Sequence, residues 1–468
     1  MTVDHAVKQA AFKKPGPYPR TGISGNRDFM KLWAGETVSL IGTQITQFAL
    51  PLVGILTLHA TVFQVGILNA CRNIPVVLVS LFAGVWLDRR RRRPVLITCS
   101  LGNAFLIGVI PVASILGLLS MNLLYLICVL SGALSVVFDV GVLSYVPSLV
   151  GRQHLAASNS RMQSSMSLAM VAGPGIAGVV VGILTAPITL AFDAVSYVCS
   201  AFGLISIRTA EPAPEVPEIR QSIWRSIGEG AQILLGNRVS RDLLTQSAMF
   251  NFVQSGFITI FVVYAVRDLG LSPFQLGLVL GAIAVGALCG SMIANRVRNA
   301  LGLGRTMLIA ILPATFCQLG VLIPRGSGPV SICLLCVIEF CYGCGVLVFK
   351  VNTITLLQTM TPNRLLGRMN ATYRLLIFGI APAGAVLVGV LGRAVGLHLT
   401  LVITVLVFVT PVLWTLFSPI FRMQAIPSGP EEDLDPAPSG PAEKSEPAPM
   451  AALETSTMLD GDEAAQPS

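Results

Sequence analysis

Charge is what this chain of 468 residues lacks: only 12% of it is Asp, Glu, Lys or Arg, against about 25% in a typical soluble domain. That is too little to coat a water-facing surface of this size, and a large soluble globule is excluded. Histidine is scarce too, at four residues, and no H-E-x-x-H pair exists. No G-x-x-x-x-G-K-[ST] loop and no nucleophile elbow appears, so neither ATP drive nor hydrolytic chemistry has a motif to rest on. An enzyme is not expected, nor is a cofactor. The ten cysteines lie inside apolar stretches rather than at framework spacings, which excludes a secreted disulfide scaffold. Residues 1–28 carry Lys8, Lys13, Lys14, Arg20 and Arg27 but no apolar core long enough for a cleaved signal.

What is present is apolar. The chain is 53% hydrophobic, with a mean hydropathy of +0.76. About 20 residues of helix cross a bilayer, and twelve stretches meet that length: 33–57, 65–87, 95–117, 123–146, 162–184, 188–207, 243–265, 275–296, 305–323, 329–352, 371–392 and 397–420. The expected fold class is an all-α polytopic membrane protein. Arg89 to Arg93, Arg161, Arg208 to Arg241, Arg296, Arg298, Arg305, Arg364 and Arg368 fall on one side, with the N-terminal cluster. Only Arg267, Arg325 and Arg393 fall on the other. Basic excess marks the cytoplasmic side, which predicts a multi-pass protein of the cell (inner) membrane with both termini cytoplasmic.

The net charge of +8 divides unevenly. Residues 423–468 hold ten acids and one lysine, a charge of −9, leaving +17 for the rest. The basic excess is assigned to topology and lipid contact, not to nucleic acid. The acidic tail, rich in Pro, Ala, Glu and Ser, is expected to be disordered.

The two halves repeat. Phe63-Gln64-Val65-Gly66 corresponds to Phe274-Gln275-Leu276-Gly277, and Phe138-Asp139-Val140 to Phe349-Lys350-Val351 at the same offset. The division that follows is a cytoplasmic segment 1–28, a six-helix bundle 29–207, a linker 208–242, a second six-helix bundle 243–422 and the tail 423–468. Repeats of this kind place a central cavity between two bundles that rock about a midplane site. Within the linker, Ile223, Ile227, Leu234 and Leu235 suggest an amphipathic helix on the membrane surface.

Between the second and third spans the chain reads Gly84-Val-Trp-Leu-Asp88-Arg89-Arg90-Arg91-Arg92-Arg93. This resembles the signature loop of the major facilitator superfamily, with Arg91 where the common form has glycine. Gly35-Glu36-Thr-Val-Ser39, Gln44, Gln47, Pro147-Ser-Leu-Val and Leu365-Leu-Gly367-Arg368-Met-Asn370 resemble its macrolide-efflux and enterobactin-exporter branch. The likeness covers residues 27–422. It implies two pseudo-symmetric six-helix bundles, and a cytoplasmic gate of Gly84, Asp88, Arg89, Arg92, Arg93, Asp139 and Lys350. Asp88 is expected to cap the helix starting near Asn370, and Arg89 with Arg92 or Arg93 to reach Asp139. In the fifth span, Gly173-Pro174-Gly175-Ile-Ala-Gly178 resembles part of the antiporter motif of drug exporters, and Pro382 has the cruder counterpart place in the eleventh. Small residues admit close helix approach and an internal proline bends a helix.

Ionisable groups within a bilayer are costly and are functional candidates. Glu339 falls near mid-depth in the tenth span and is assigned, with Asp139, to proton coupling. Arg72 is a candidate for an anionic substrate or for an acid across the cavity. Asp193 and Glu36 are read as interfacial. Gln44 with Gln47, and Asn251 with Gln254, share helix faces at i, i+3 and complete the candidate substrate cavity. Cys333, Cys336, Cys341 and Cys344 are too closely spaced for a structural zinc site, and no metal is expected.

The expected function is proton-coupled export of a bulky amphipathic molecule, an antibiotic or other natural product, by a monomer. Its alternatives are an uptake permease or uniporter of the same fold, and a non-transporting receptor or scaffold.

Overall fold

The computed structural model describes residues 25–87, 89–209, 211, 223–362 and 365–418. The N-terminal segment before residue 25, Asp88 and the tail from residue 419 lie outside these residues, as do the expectations made for them. Among the described residues, twelve helical segments are long and apolar enough to cross a bilayer. The first bundle comprises α1 (Arg27–Leu52, carried on as a π turn through Thr57), α2 (Val62–Leu87), α3 (Arg92–Ile115), α4 (Met121–Val150), α5 (Leu155–Leu184) and α6 (Ala186–Ile205). A short linker helix, α7 (Ile223–Gly236), follows. The second bundle comprises α8 (Arg238–Arg267), α9 (Pro273–Leu301), α10 (Leu303–Leu319), α11 (Pro329–Thr359), α12 (Leu366–Val395), and the pair α13 (Leu397–Val407) and α14 (Val409–Phe417).

Local chemistry sets the ends. The Asn26 side chain accepts from the Phe29 N–H at 3.0 Å to open α1, and Ser272 with Gln275 forms a capping box at α9. Glycines in the left-handed region, Gly151 at φ 72° and Gly302 at φ 79°, stop α4 and α9. Several helices overshoot the expected spans, since backbone hydrogen bonding continues where hydropathy has already fallen. The twelfth span, read from sequence as a single helix, breaks at Phe408 instead. Pro411 has no N–H to give the Val407 carbonyl, and the Thr410 hydroxyl takes its place at 2.8 Å.

Bulky side chains point outward in a way no water-soluble protein tolerates: Phe105 is 72% and Phe202 70% exposed, as for lipid-facing positions. Within the bundles, α1 packs on α5 and α6 as α8 packs on α12 and on α13–α14; α2 packs on α4 as α9 packs on α11. The halves therefore match as the sequence repeat requires. The bundles meet along two main seams, α2 with α12 and α5 with α9.

Glycine pairs form these seams. A methyl group on Gly66 would lie 2.6 Å from the Ala385 carbonyl, and one on Gly178 would lie 2.7 Å from the Pro273 carbonyl. Gly66 faces Gly389, and Gly178 faces Gly277. The offset relating Gly66 to Gly277 also relates Gly178 to Gly389, so each seam is the image of the other. All four glycines lie toward the far face, opposite the face on which α1 begins (the N-terminal face). Two cross-bundle bonds tie the same side: Arg267 donates to the Ala60 carbonyl at 2.7 Å, and the Asn69 amide donates to Thr259 Oγ1 at 2.9 Å.

The linker helix was expected on the membrane surface. In the structure α7 docks on the start of α12, with Gly230 against the Arg368 carbonyl and Thr372 and Glu229 paired with Arg368. Leu234 is buried in the second bundle's core while Leu235 is half exposed, so the two leucines serve different surroundings.

Candidate functional site: a charged cavity in the first bundle

A cavity of about 590 Å³ runs from mid-depth toward the N-terminal face, walled by α1 to α6 and touched from the second bundle by Arg374 of α12. Most of the wall surface is apolar, although polar side chains outnumber apolar ones along it, and Glu36, Arg72, Cys128, Asp139, Asp193, Tyr197 and Arg374 are its ionisable groups. Gln44 and Gln47 lie on its wall, as does Arg72. Gln44 fits there because Gly173 of α5 leaves room for it.

Asp193 is not interfacial. It is fully buried between α6 and α1, accepting from the Thr46 hydroxyl and from Ser196 Oγ at 3.0 Å. Gly42 of α1 admits the carboxyl, since any side chain there would meet Asp193 and Ser196. One turn on, the Tyr197 hydroxyl lies 3.2 Å from Thr43 Oγ1. Glu36 is not interfacial either: it lines the cavity, and its Oε2 is buried with no hydrogen-bond partner. With Asp139 of α4, three carboxyl groups thus line the cavity.

Asp139 feels the positive charge of Arg374 across the bundle boundary. Arg374 also bears on Lys350 and stacks over Phe378. Of the arginines expected to reach Asp139, Arg93 uses its guanidinium elsewhere. Arg93 donates to the carbonyls of Leu204 and Ile205, at 3.0 and 2.7 Å, at the end of α6. The backbone N–H groups of Arg92 and Arg93 donate to Glu211 at 2.6 and 3.1 Å, so that carboxylate caps the positive end of α3. Arg89 is exposed on the loop before α3. Gly84 has open space where a side chain would go.

The remaining candidates lie away from the cavity. The Asn251 amide donates to the Ser247 carbonyl of its own helix at 2.9 Å. Gln254 accepts from the Tyr342 hydroxyl, beside an aromatic cluster of Phe250, Phe257, Tyr342 and Phe408 that fills the second bundle. Glu339 is fully buried, taking one bond of 3.3 Å from Gln318 of α10, while its other oxygen has none. Pro174 and Gly178 form the α5–α9 seam, and Pro382 sits inside α12 beside Gly384, which lies on the Phe252 carbonyl of α8. Arg374 escaped sequence reasoning because at the beginning of the eleventh expected span it reads as a topology charge. Its signal was the mirrored placement of Asp139 and Lys350, which mark that depth in both halves.

Residues 25–444 match the family model described as transmembrane secretion effector, over a twelve-span, two-bundle fold. The chain belongs to this family of major facilitators. The facilitator is 27% identical over 375 residues to the multidrug efflux pump Tap of Mycolicibacterium fortuitum, covering 77% of this chain and 88% of the relative. It is 24% identical to the enterobactin exporter EntS of Citrobacter koseri, over 78% and 85% of the two chains. Among solved structures, a bacterial homologue of the iron transporter ferroportin superposes with a TM-score of 0.66 at 18% identity, covering 83% of the facilitator and 98% of its neighbour. A bacterial homologue of the human lysosomal transporter Spinster gives 0.67 at 14% identity, over 86% and 98%. The facilitator is thus a multi-pass membrane transporter of small molecules and not an enzyme.

Proposed function

We propose that this facilitator is a proton-driven exporter of a bulky amphipathic organic molecule, sited in the cell membrane with both termini cytoplasmic and active as a monomer. The observation that carries the reading is the cavity itself: room for a sizeable organic molecule, walls that are largely apolar, and carboxyl groups set into them. Relatives bearing the names of exporters favour the outward direction. An apolar wall accepts a bulky amphipath by burial, whereas a carboxyl withdrawn from water exchanges between charged and neutral forms at modest cost.

Asp139 is the gating proton carrier in this reading. Ionised, it attracts Arg374 across the bundle boundary and draws the N-terminal face closed; protonated, it releases Arg374 and lets that face open. Glu339, buried with one unpartnered oxygen, is the second carrier. Lys350 keeps Arg374 from settling on the second bundle, because like charges repel. Gln44, Gln47 and Arg72 hold the cargo. The α2–α12 and α5–α9 seams, meeting through glycines, are the surfaces on which one bundle rocks against the other.

The test is dye accumulation in pump-deficient cells expressing the facilitator, using the fluorescent amphipath N-dansyl-leucine. Expression should lower accumulation, a protonophore should restore it, and Asp139→Asn at equal membrane level should restore it as well. Raised accumulation on expression would replace export by uptake. Export that ignores the protonophore would remove the proton from the mechanism.

A further inference from the structure

Among the described residues, the facilitator's cavity contains one cation without a counter-charge. Arg72 lies at mid-depth on α2, half-buried, and lines the cavity. The backbone there is held by α4, since a side chain on Gly132 would come within 3.2 Å of the Arg72 carbonyl. Among the described residues the guanidinium has Cys128 and Tyr197 as its electrostatic neighbours, and both are neutral groups. None of its nitrogens is sealed off from the cavity space.

Of the carboxyls that share the cavity, two are engaged elsewhere, and Glu36, whose Oε2 has no hydrogen-bond partner, lies near Asp139 rather than Arg72. Asp193 is bonded to Thr46 and Ser196, Asp139 faces Arg374, and Glu36 bears on Asp139 and Tyr197. Among the described residues no carboxylate approaches Arg72 within ion-pair distance. A guanidinium inside a bilayer is expensive and is kept there when it pairs with something. Its planar fork matches two oxygens of one acidic group, and in a site shielded from water such a bond is strong.

Resting on the exporter reading, we infer that Arg72 is the docking point for an acidic group on the cargo. The transported molecule is then an amphipath carrying a carboxylate or a comparably acidic pair of oxygens. Its apolar body lies along Ile107, Ile127 and Val136, and its charge sits at mid-depth. A neutral or purely cationic amphipath leaves the guanidinium desolvated and unpaired, and loses to the acid for that reason.

The test uses the whole protein in lipid nanodiscs and a matched pair of probes, N-dansyl-leucine and its methyl ester, with binding read by dansyl fluorescence. The acid should bind wild type about tenfold to a hundredfold tighter than the ester, the range expected for hydrogen bonds to a charged group. Arg72→Gln should collapse that ratio to near one, and Arg72→Lys, which keeps the charge without the fork, should retain part of it. If the Gln variant fails to insert, Arg72→Met or the Lys variant carries the comparison. An acid-to-ester ratio that survives the loss of the guanidinium overturns the inference, as does wild type that prefers the ester or binds neither probe. Export of the same pair from cells is measured in parallel. A preserved acid preference in binding with no export sinks the exporter reading alone; export with no acid preference sinks the role of Arg72 alone.

Discussion

Replacing Gly66 by alanine adds a single methyl group at the tightest point of the α2–α12 seam. That methyl would start 2.6 Å from the Ala385 carbonyl oxygen, whereas ordinary contact begins at 3.4 Å, so about 0.8 Å must be found. The obstacle is helix backbone and cannot rotate aside, and the facing Gly389 backbone lies 3.4 Å from the same methyl. The two helices must therefore separate as bodies. Overpacking of this kind costs about 1–3 kcal/mol, charged almost wholly to the conformation in which the far face is closed. An equilibrium between closed and open far faces then shifts about 5- to 150-fold toward open. Hydrogen exchange read by mass spectrometry reports it: amides of residues 58–66 and 385–396 should lose protection in Gly66→Ala. Gly182→Ala on α5 is the control, because nothing lies within 4 Å of a side chain there. Equal protection in Gly66→Ala and wild type would refute the idea that the glycine seams hold the far face shut.

Two further perturbations test the supports of the site. Glu211→Gln removes a charge that receives two backbone N–H groups at the start of α3; a loss of about 1–2 kcal/mol is expected, read as a lower melting temperature of the solubilised protein, and an unchanged melt would deny Glu211 its capping role. Gly230→Leu drives a side chain into the Arg368 carbonyl and Thr372. The linker helix should then leave α12, with faster hydrogen exchange over residues 223–236, and unaltered protection there would show that the docking carries no weight.

The spans were legible because bilayer thickness imposes a length that hydropathy alone can measure. The division into two bundles was legible because Phe63–Gly66 and Phe274–Gly277 share three of four residues at the same place in each half. The family was readable too, through the loop from Gly84 to Arg93 and its neighbours. By itself the sequence determined how many membrane spans there are and in what order.

Only the tertiary structure decided which way each helix turns. A helix that is apolar on every side carries no stripe to orient it, so Asp193 and Asn251 look alike in sequence, yet one is held against α1 at the cavity wall and the other folds onto its own carbonyl. Arg374 meets Asp139 from a helix far along the chain, and the basic run at Arg92 and Arg93 is consumed by the ends of α3 and α6. Pairings of this kind depend on rotation and register between helices. They are set by where small residues let two backbones approach, and that becomes visible only once the seams Gly66–Gly389 and Gly178–Gly277 are in place.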